Sequence, residues 1–359
     1  MRRLIGTLAV ALVLAMLALL TGCGSDSAGT STDTPVRIEG GKPSAAYTVR
    51  NLLADWPNGT GLYPDDLNDS GQVACHGTKV GTGPYNHAVL WDNGVVTELG
   101  ELPSSPQISW SASINATGDI AGASVVNGWR HAVVWCAGAY GTPTNLHQAD
   151  PAWIGSEACG INASGEVVGA WIEEIQPPGG GYSYWYHGRL WSLSGGGSDI
   201  PDCDGAYDIN DQGQVTGRPV AIWQRDASGV WQTTPLPLPS GYGGCGEHIN
   251  AAGHVAGRMW GTARRAFLWN GSQVVDLGTL SGYEEVEAYG INDADEVVGL
   301  ARHMAKNGLY TYKAFIWRNG VMSDLGALAG TSVTSAYAIN NMGQIACNGP
   351  KGGMLLTPK

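Results

Sequence analysis

The chain has 359 residues, of which 54 are glycine and 18 are proline, and its formal net charge at neutral pH is −12. So much glycine without a Gly-X-Y period excludes collagen, and an apolar content of 43% argues against a disordered chain. A long helical protein is disfavoured because glycine costs roughly 1 kcal/mol in a helix interior. The acidic balance repels phosphate backbones, so a nucleic-acid partner is not expected.

The N-terminus has the pattern of an export signal. A basic start precedes an apolar run over residues 4–20, which predicts a signal peptide over residues 1–22. The sequence Leu-Thr-Gly-Cys that ends at Cys23 resembles the lipobox of bacterial lipoproteins. The resemblance implies cleavage before Cys23 and attachment of lipid to it. The alternative is an uncleaved membrane anchor, for which the apolar run is slightly short.

The segment after the predicted cleavage site reads as a tether. Residues 23–46 comprise the lipidated Cys23 and small, polar residues without a hydrophobic pattern. In Gram-negative lipoproteins an Asp directly after the lipidated cysteine signals retention in the inner membrane, and Gly24 stands there instead. We therefore expect an exported protein, attached to a membrane through its N-terminal lipid, at the outer membrane or the cell surface.

A repeated unit fills the rest of the chain. Its central pattern is Ile-Asn-x-x-Gly-x-Val-x-Gly, in which Asn opens an Asx-type turn and Gly closes it between two strands. The Asn residues of the seven copies lie 40 to 48 residues apart: Asn68, Asn115, Asn162, Asn210, Asn250, Asn292 and Asn340. A third strand, a tight turn and a fourth strand follow. Four strands in this length are typical of a β-propeller blade.

The seventh copy stops after its third strand, and the missing fourth strand is found at the other end of the domain. Residues 47–53 alternate as the fourth strands do, and pairing them with the last blade would close a ring and cover an exposed edge. The sequence therefore predicts an all-β fold, a seven-bladed β-propeller over residues 47–359 closed by an N-terminal strand that completes the last blade. An open solenoid of the same units is the alternative.

The third strands carry a motif that is found in a known repeat family. His-Ala-Val occurs at residues 87–89 and 131–133, whereas Pro-Val-Ala at residues 219–221 departs from it. These segments resemble the HAF-type extracellular repeat family, and the resemblance covers nearly all of residues 65–357. It implies an exported, propeller-like repeat protein, but the family has no established activity to transfer.

Six cysteines remain after the lipobox cysteine, and an even number in an exported domain predicts disulfide bonds. Cys75 and Cys347 occupy the same position in the first and last copies, so a bond between them would lock the ring. The other predicted pairs join neighbouring blades: Cys136 with Cys159, and Cys203 with Cys245. Free, buried thiols are the alternative. No Cys-x-x-Cys or His-x-x-x-His spacing occurs, so no metal site is predicted.

The sequence contains no catalytic and no cofactor-binding motif, and we predict neither an enzyme nor a cofactor. Length variation between copies indicates a binding rim instead. The distance from Asn to the third-strand Trp ranges from 13 residues in the fourth copy to 29 in the third, and variable loops on a rigid scaffold are typical of recognition sites. The aromatic and acidic residues of these loops are the predicted ligand-binding residues: Trp110, Trp153, Tyr184, Trp185, Tyr186, Asp202, Asp204, Tyr242, Tyr283 and Glu285.

Together these features predict a lipid-anchored, monomeric, non-catalytic binding scaffold outside the cytoplasm. Exposed aromatic rings beside carboxylates suit a glycan, another cell-envelope component or a cationic protein surface. Two alternatives stay open at this point. One is a polysaccharide-acting enzyme with scattered carboxylates, and the other is a purely structural envelope protein whose rim residues only cap the blades.

Overall fold

Seven four-stranded antiparallel sheets account for almost all of the regular structure. The computed structural model describes residues 45–175 and 183–359. The sheets are arranged as blades around one axis, which confirms the predicted all-β, seven-bladed propeller. The predicted signal peptide, Cys23 and the tether up to residue 44 lie outside the described residues, and so do residues 176–182.

The strands are numbered in chain order, and the first of them, β1 (Tyr47–Asn51), belongs to the last blade. Blade 1 contains β2 (Gly59–Leu67), β3 (Val73–Lys79), β4 (His87–Asp92) and β5 (Val95–Glu98). Blade 2 contains β6 (Ser109–Ile114), β7 (Ile120–Val126), β8 (Trp129–Trp135) and β9 (Thr144–Asn145). Blade 3 contains β10 (Gly155–Ile161), β11 (Glu166–Ile175), β12 (Ser183–Ser192) and β13 (Gly197–Asp199).

The remaining blades follow the same order from the axis outward. Blade 4 contains β14 (Gly205–Ile209), β15 (Val215–Arg218), β16 (Ala221–Arg225) and β17 (Trp231–Pro235). Blade 5 contains β18 (Gly243–Ile249), β19 (Val255–Trp260), β20 (Arg264–Trp269) and β21 (Val274–Asp276). Blade 6 contains β22 (Glu285–Ile291), β23 (Val297–Met304), β24 (Tyr310–Arg318) and β25 (Val321–Asp324). Blade 7 contains β26 (Ser335–Ile339), β27 (Ile345–Gly349), β28 (Gly352–Pro358) and β1.

In the described part of the chain two short helical turns interrupt the strands: a 3-10 turn at Leu52–Asp55 and the helix α1 at Leu325–Ala329. Asp324 caps α1, because its carboxylate accepts the N–H of Ala327. No helix among the described residues has the length and apolar character that a membrane span requires.

The N-terminal strand closes the ring as predicted. It pairs with β28 over five residues, from Tyr47 opposite Pro358 to Asn51 opposite Met354. The Tyr47 side chain is buried among residues of blades 6 and 7, and its hydroxyl accepts a hydrogen bond of 3.1 Å from Arg318 Nη2. Blade 7 is therefore assembled from both ends of the described chain, and no edge of β28 is left exposed.

The turn that joins the first and second strands of each blade defines one end of the propeller, here called the asparagine end. In every copy Asn Oδ1 accepts the backbone N–H groups two and four residues further on. Gly213, for example, then takes the left-handed conformation at φ +72° that closes the turn. The predicted turn chemistry is confirmed.

The same side chains also join the blades. Each Asn Nδ2 donates to the carbonyl oxygen of the corresponding Asn in the next blade, over 2.9 to 3.2 Å. The seventh bond runs from Asn340 to Asn68, so the series is continuous around the axis. We call this circle of seven buried side chains the asparagine ring.

The six cysteines of the propeller are free, and the three predicted disulfide bonds are wrong. Cys75 packs in the apolar layer between blades 7 and 1, whereas Cys347 packs in the layer between blades 6 and 7. The sheet of blade 7 separates them, because equivalent positions in neighbouring blades point in the same direction around the ring.

In each of the other two predicted pairs, the two cysteines also lie in different parts of the propeller. Cys136 lies at the edge of the layer between blades 2 and 3, while Cys159 is on the inner strand β10. Cys203 packs between blades 3 and 4, and the Cys245 thiol donates to Glu247 Oε1 at 2.8 Å. Burial raises the pKa of Cys203 and of Cys245 to about 12, so both thiols are protonated at neutral pH.

Candidate functional site

The hairpins that join second and third strands form the opposite end of the propeller, here called the rim, and they differ greatly in length. In blade 3 the β11–β12 ladder has nine residue pairs from Val167–Trp191 to Ile175–Ser183. In blade 4 the equivalent β15–β16 ladder has two, beginning at Val215–Trp223. At about 3.3 Å per residue, the seven additional pairs correspond to about 20 Å of strand in blade 3 beyond its neighbour.

This difference leaves a cleft of about 590 Å³ between blades 3 and 4. Three aromatic residues of β12 line it and are exposed: Tyr184 at 47%, Trp185 at 58% and Tyr186 at 46%. The full lining is Glu157, Cys159, Ala170, Tyr184, Trp185, Tyr186, Asp204, Gly205, Ala206, Tyr207 and Arg218. The short hairpin of blade 4 does not reach high enough to cover the aromatic residues.

Two carboxylates and one guanidinium give the cleft its charge. Glu157 is 2.9 Å from Arg130 Nη1 of blade 2 and forms a firm ion pair. Asp204 is 67% exposed and 3.8 Å from Arg218 Nε, which also lies over the Trp260 ring at 6.0 Å. An exposed ion pair at 3.8 Å contributes little to the free energy of folding, so the Asp204 carboxylate is available to a ligand.

The connection between blades 3 and 4 fixes the position of this carboxylate. Gly188 N–H donates to Cys203 O at 2.7 Å, and Asp204 N–H donates to Arg218 O at 2.8 Å. A Cβ at Gly188 would lie 2.3 Å from Cys203 Sγ, so only glycine lets the connection cross β12 here. The crossing places Asp204 and the exposed Asp202 at the foot of the β11–β12 hairpin.

The structure therefore brings together five of the ten predicted ligand-binding residues. Tyr184, Trp185, Tyr186 and Asp204 line the cleft, and Asp202 lies at its foot.

Trp153 does not lie on the surface, and its assignment to the rim is corrected. It is 8% exposed in the layer between blades 2 and 3, where it stacks on Trp171 at 5.1 Å and lies 4.8 Å below the Arg189 guanidinium. Trp110 is half-buried with the Arg130 guanidinium 4.7 Å from its ring. These partners occupy the aromatic faces that a ligand would use.

The remaining predicted residues are dispersed over other blades. Tyr242 packs against blade 5, and its hydroxyl is 2.8 Å from Thr262 Oγ1. Tyr283 and Glu285 belong to blade 6, where Glu285 pairs with Arg302. None of these three lines the cleft between blades 3 and 4.

Sequence reasoning missed the residues that the inner strands contribute to the cleft. Cys159 and Tyr207 each lie three residues before the asparagine of their turn, where every inner strand has a β-bulge. Burial first, and then the negative charges of the neighbouring Cys245 and Glu247, raise the pKa of Tyr207. The sequence signal that could have identified these residues is a polar residue that recurs at this mid-strand position in other copies of the repeat.

Charged groups also occur near the axis at the asparagine end, beside a cavity of about 250 Å³. Asp208 accepts the N–H groups of Ile209 and Ile249, and lies 3.3 Å from His248 Nδ1. Burial alone would lower the pKa of His248, but the hydrogen bond and charge of Asp208 outweigh it and raise the pKa to about 9.

Stability is expected to fall as pH rises from about 6.5 through 9, because His248 is charged in the folded state over that range and neutral when unfolded. Melting temperatures between pH 6 and 10 would measure this, and His248→Asn should flatten the alkaline decline.

Burial and the charge of His131 lower the pKa of His147 to about 4, so stability carried by His147 is lost as pH falls from 6.5 towards 4. This loss of stability at acid pH should persist in His248→Asn. An unchanged alkaline limb in His248→Asn would contradict the assignment.

No catalytic signature is evident in residues 45–175 and 183–359. In these ranges no group of three or more His, Cys, Asp or Glu residues is arranged to hold a metal ion. The cleft cysteine, Cys159, has its pKa raised well above the ordinary value by burial and by Glu157, which disfavours a nucleophilic thiolate.

No family model matches the sequence, and no curated protein matches it. Among solved structures, a puromycin-hydrolysing peptidase from Mycobacterium tuberculosis aligns with 79% of this chain and 46% of its own, at 12% identity and a TM-score of 0.49. A puromycin hydrolase aligns with 77% of this chain and 55% of its own, at 12% identity and a TM-score of 0.38. The β-propeller domain of the Trilobed protease from Pyrococcus furiosus aligns over 74% and 98%, also at 12% and 0.38.

The chain thus spans about half the length of the two hydrolases. Our prediction of a non-catalytic scaffold for glycans or envelope components is corrected by the comparisons, in which a peptidase, a hydrolase and the propeller domain of a protease align with this chain. At 12% identity the likeness concerns the fold alone, so it assigns no activity to this chain.

Proposed function

We propose that the protein recognises cationic, peptide-like ligands in the cleft between blades 3 and 4. One observation carries the proposal: three exposed aromatic residues of one strand and the exposed carboxylate of Asp204 line a single cleft of about 590 Å³. Ligand sites of this kind measure about 300–1,000 Å³ and combine apolar walls with a few polar groups.

The chemistry of the cleft favours a cation over a neutral ligand. Glu157 is held by Arg130, but Asp204 is exposed and only loosely paired with Arg218, so its carboxylate can accept a cation, and the protein is acidic overall. An ammonium or guanidinium group gains an ion pair with Asp204 and a favourable contact with the faces of Tyr and Trp rings. A peptide with a free amino terminus or a Lys or Arg side chain meets both requirements.

We also propose that the domain is exported and attached to a membrane through lipid on Cys23. The lipobox-like sequence supports this attachment, and the resemblance to HAF-type repeats supports export. Tyr47 lies at the asparagine end of blade 7, because its partner Pro358 contacts Gly343 of the last asparagine turn. A tether before Tyr47 would therefore join the propeller at the end opposite the cleft.

Trp185→Ala and Asp204→Asn are each expected to weaken binding of a basic peptide by about tenfold, since each removes one of the two recognition elements. The probe is a pool of hexapeptides with Lys first and Thr or Val at the other five positions, called here the lysine pool. Titration calorimetry against a matching pool with Glu first measures the affinity and its dependence on charge.

Tyr312→Ala is the matched control, because Tyr312 is an exposed aromatic residue of the blade 6 hairpin at 45%. It should bind the lysine pool as the parent does. The proposal fails if the parent does not distinguish the two pools, or if both cleft variants bind as tightly as the parent.

A further inference from the structure

The outer edge of β12 is paired only at its lower end. Its fourth-strand partner, β13, reaches from Arg189 to Trp191, and the connection to blade 4 takes over at Gly188. There the Gly188 N–H donates to Cys203 O at 2.7 Å, and the Gly188 carbonyl accepts the N–H of Ile200 at 2.8 Å. Above Gly188 no described strand continues along this edge.

The direction of the free backbone groups follows from this contact. In an antiparallel ladder the N–H and C=O of every second residue point to the same side. Because those of Gly188 point outward, those of Tyr186 and Tyr184 do too, whereas Trp185 bonds to β11. Within the part of the chain that the structure describes, the outward groups of Tyr184 and Tyr186 have no hydrogen-bond partner.

Proteins usually protect such an edge with proline, lysine or a covering segment, and none of these is found on it within residues 45–175 and 183–359. The segment Ser183–His187 reads Ser-Tyr-Trp-Tyr-His, with no proline and no lysine, and is rich in residues that favour strands. Its tyrosines and tryptophan are the exposed wall of the cleft. The crossing at Gly188 sets Asp202 and Asp204 at the foot of the same edge.

The outer edge of β24 in blade 6 differs from that of β12 in the charged residues beside it. Ala314 N–H donates to Val333 O, so by the same alternation Tyr312 and Tyr310 have outward backbone groups on β24. At the foot of that edge lies Lys313, paired with Asp324 at 2.5 Å. A lysine is a typical edge protection, and this one occupies the Asp324 carboxylate that a basic peptide would otherwise use. Both hairpins expose tyrosines, but only the edge in blade 3 has an acidic foot.

We propose that the ligand of the preceding section binds as an added strand along the outer edge of β12. The peptide backbone pairs with Tyr184 and Tyr186, and its basic end lies at Asp202 and Asp204. Main-chain hydrogen bonds then supply affinity that does not depend on sequence, while the acidic foot and the aromatic wall select the side chains. This inference rests on the proposed function and adds the binding mode.

Amide hydrogen exchange, resolved to single residues by fragmentation mass spectrometry, tests the binding mode on the full protein. With the lysine pool near saturation, exchange at the Tyr184 and Tyr186 amides should slow by at least tenfold. The Trp185 amide, already bonded to β11, should not change. The Tyr310 and Tyr312 amides of blade 6 serve as the matched control and should not change either.

The outcomes separate the inference from the proposed function. Binding of the lysine pool without protection of Tyr184 and Tyr186 overturns strand addition and leaves the proposed function standing. Failure of the pool to bind overturns the proposed function itself. Protection that appears without peptide and grows with protein concentration identifies a second copy of the chain as the occupant, which also overturns the inference.

A second measurement examines the peptide side of the ladder. Two versions of the lysine pool are methylated on alternate backbone nitrogens, at odd or at even positions. Strand addition predicts that one version loses at least tenfold in affinity and the other does not, because only every second N–H faces β12. Equal affinities for the two versions would rule out pairing through the peptide backbone.

Discussion

Asn210→Ala is expected to lower the free energy of unfolding by about 3 kcal/mol, as a buried, fully bonded polar side chain is removed. Asn210 Oδ1 accepts the N–H groups of Gln212 and Gln214 at 3.1 and 3.0 Å. Its Nδ2 donates to Asn250 O at 2.9 Å and to Gln214 Oε1 at 2.8 Å. Alanine leaves the two N–H groups and the Asn250 carbonyl without these partners at the asparagine end. Urea denaturation measures the loss.

Asn270→Ala is the matched control. Asn270 also caps a turn, accepting the N–H groups of Ser272 and Gln273 at 3.2 and 3.0 Å, but this turn is exposed and lies outside the asparagine ring. Water can replace the lost bonds there, so the expected loss is below about 1 kcal/mol. Equal losses in the two variants would show that the bond between blades adds nothing to the turn.

Removal of β1, in a variant that begins at residue 52, is expected to have the second large effect. It deletes all five residue pairs with β28 and the buried Tyr47, and it exposes the edge of β28. An exposed edge in the middle of an otherwise closed ring invites pairing with another molecule. We expect a melting temperature lower by at least about 10 °C and self-association, measured by calorimetry and by light scattering after size exclusion.

A peptide of residues 45–51 added in trans should restore part of the lost stability, since it can occupy the vacant position beside β28. A scrambled peptide of the same composition is the control. A shortened variant that stays monomeric and melts as the parent does would show that the ring is held without its closing strand.

The fold was predictable because each blade is encoded locally. The turn at Asn210 and Gly213 needs residues only a few positions apart, and seven copies in phase specify the number of blades. Counting strands then assigned β1 to blade 7. The asparagine ring could not be predicted in this way, because the partner of each Asn Nδ2 lies 40 to 48 residues away along most of the ring.

The cysteines show where the repeat pattern was read incompletely. Cys75 and Cys347 share one repeat position in adjacent blades, which indicated proximity along the ring. The same equivalence also means that both side chains point the same way, so one blade stands between them. Position within the repeat specified direction as well as distance, and the direction excluded the bond.

The candidate site was predictable only in part. The contrast between long and short hairpins identified Trp185 and its neighbours as exposed, because it depends on chain length alone. Glu157 and Tyr207 lie on two different inner strands, so only the folded ring shows that they meet. Trp153 was misassigned since its partners, Trp171 and Arg189, come from other strands of blade 3.

The closing strand has a mechanical consequence. Any pull on the segment before Tyr47 enters the propeller through β1, from the end at which Pro358 also lies. A force along the strand loads the five pairs with β28 together, in shear, instead of peeling them apart one at a time. The strand that closes the ring thus also carries the applied tension. The rate at which β1 separates from β28 under force sets the resistance of the propeller to that tension.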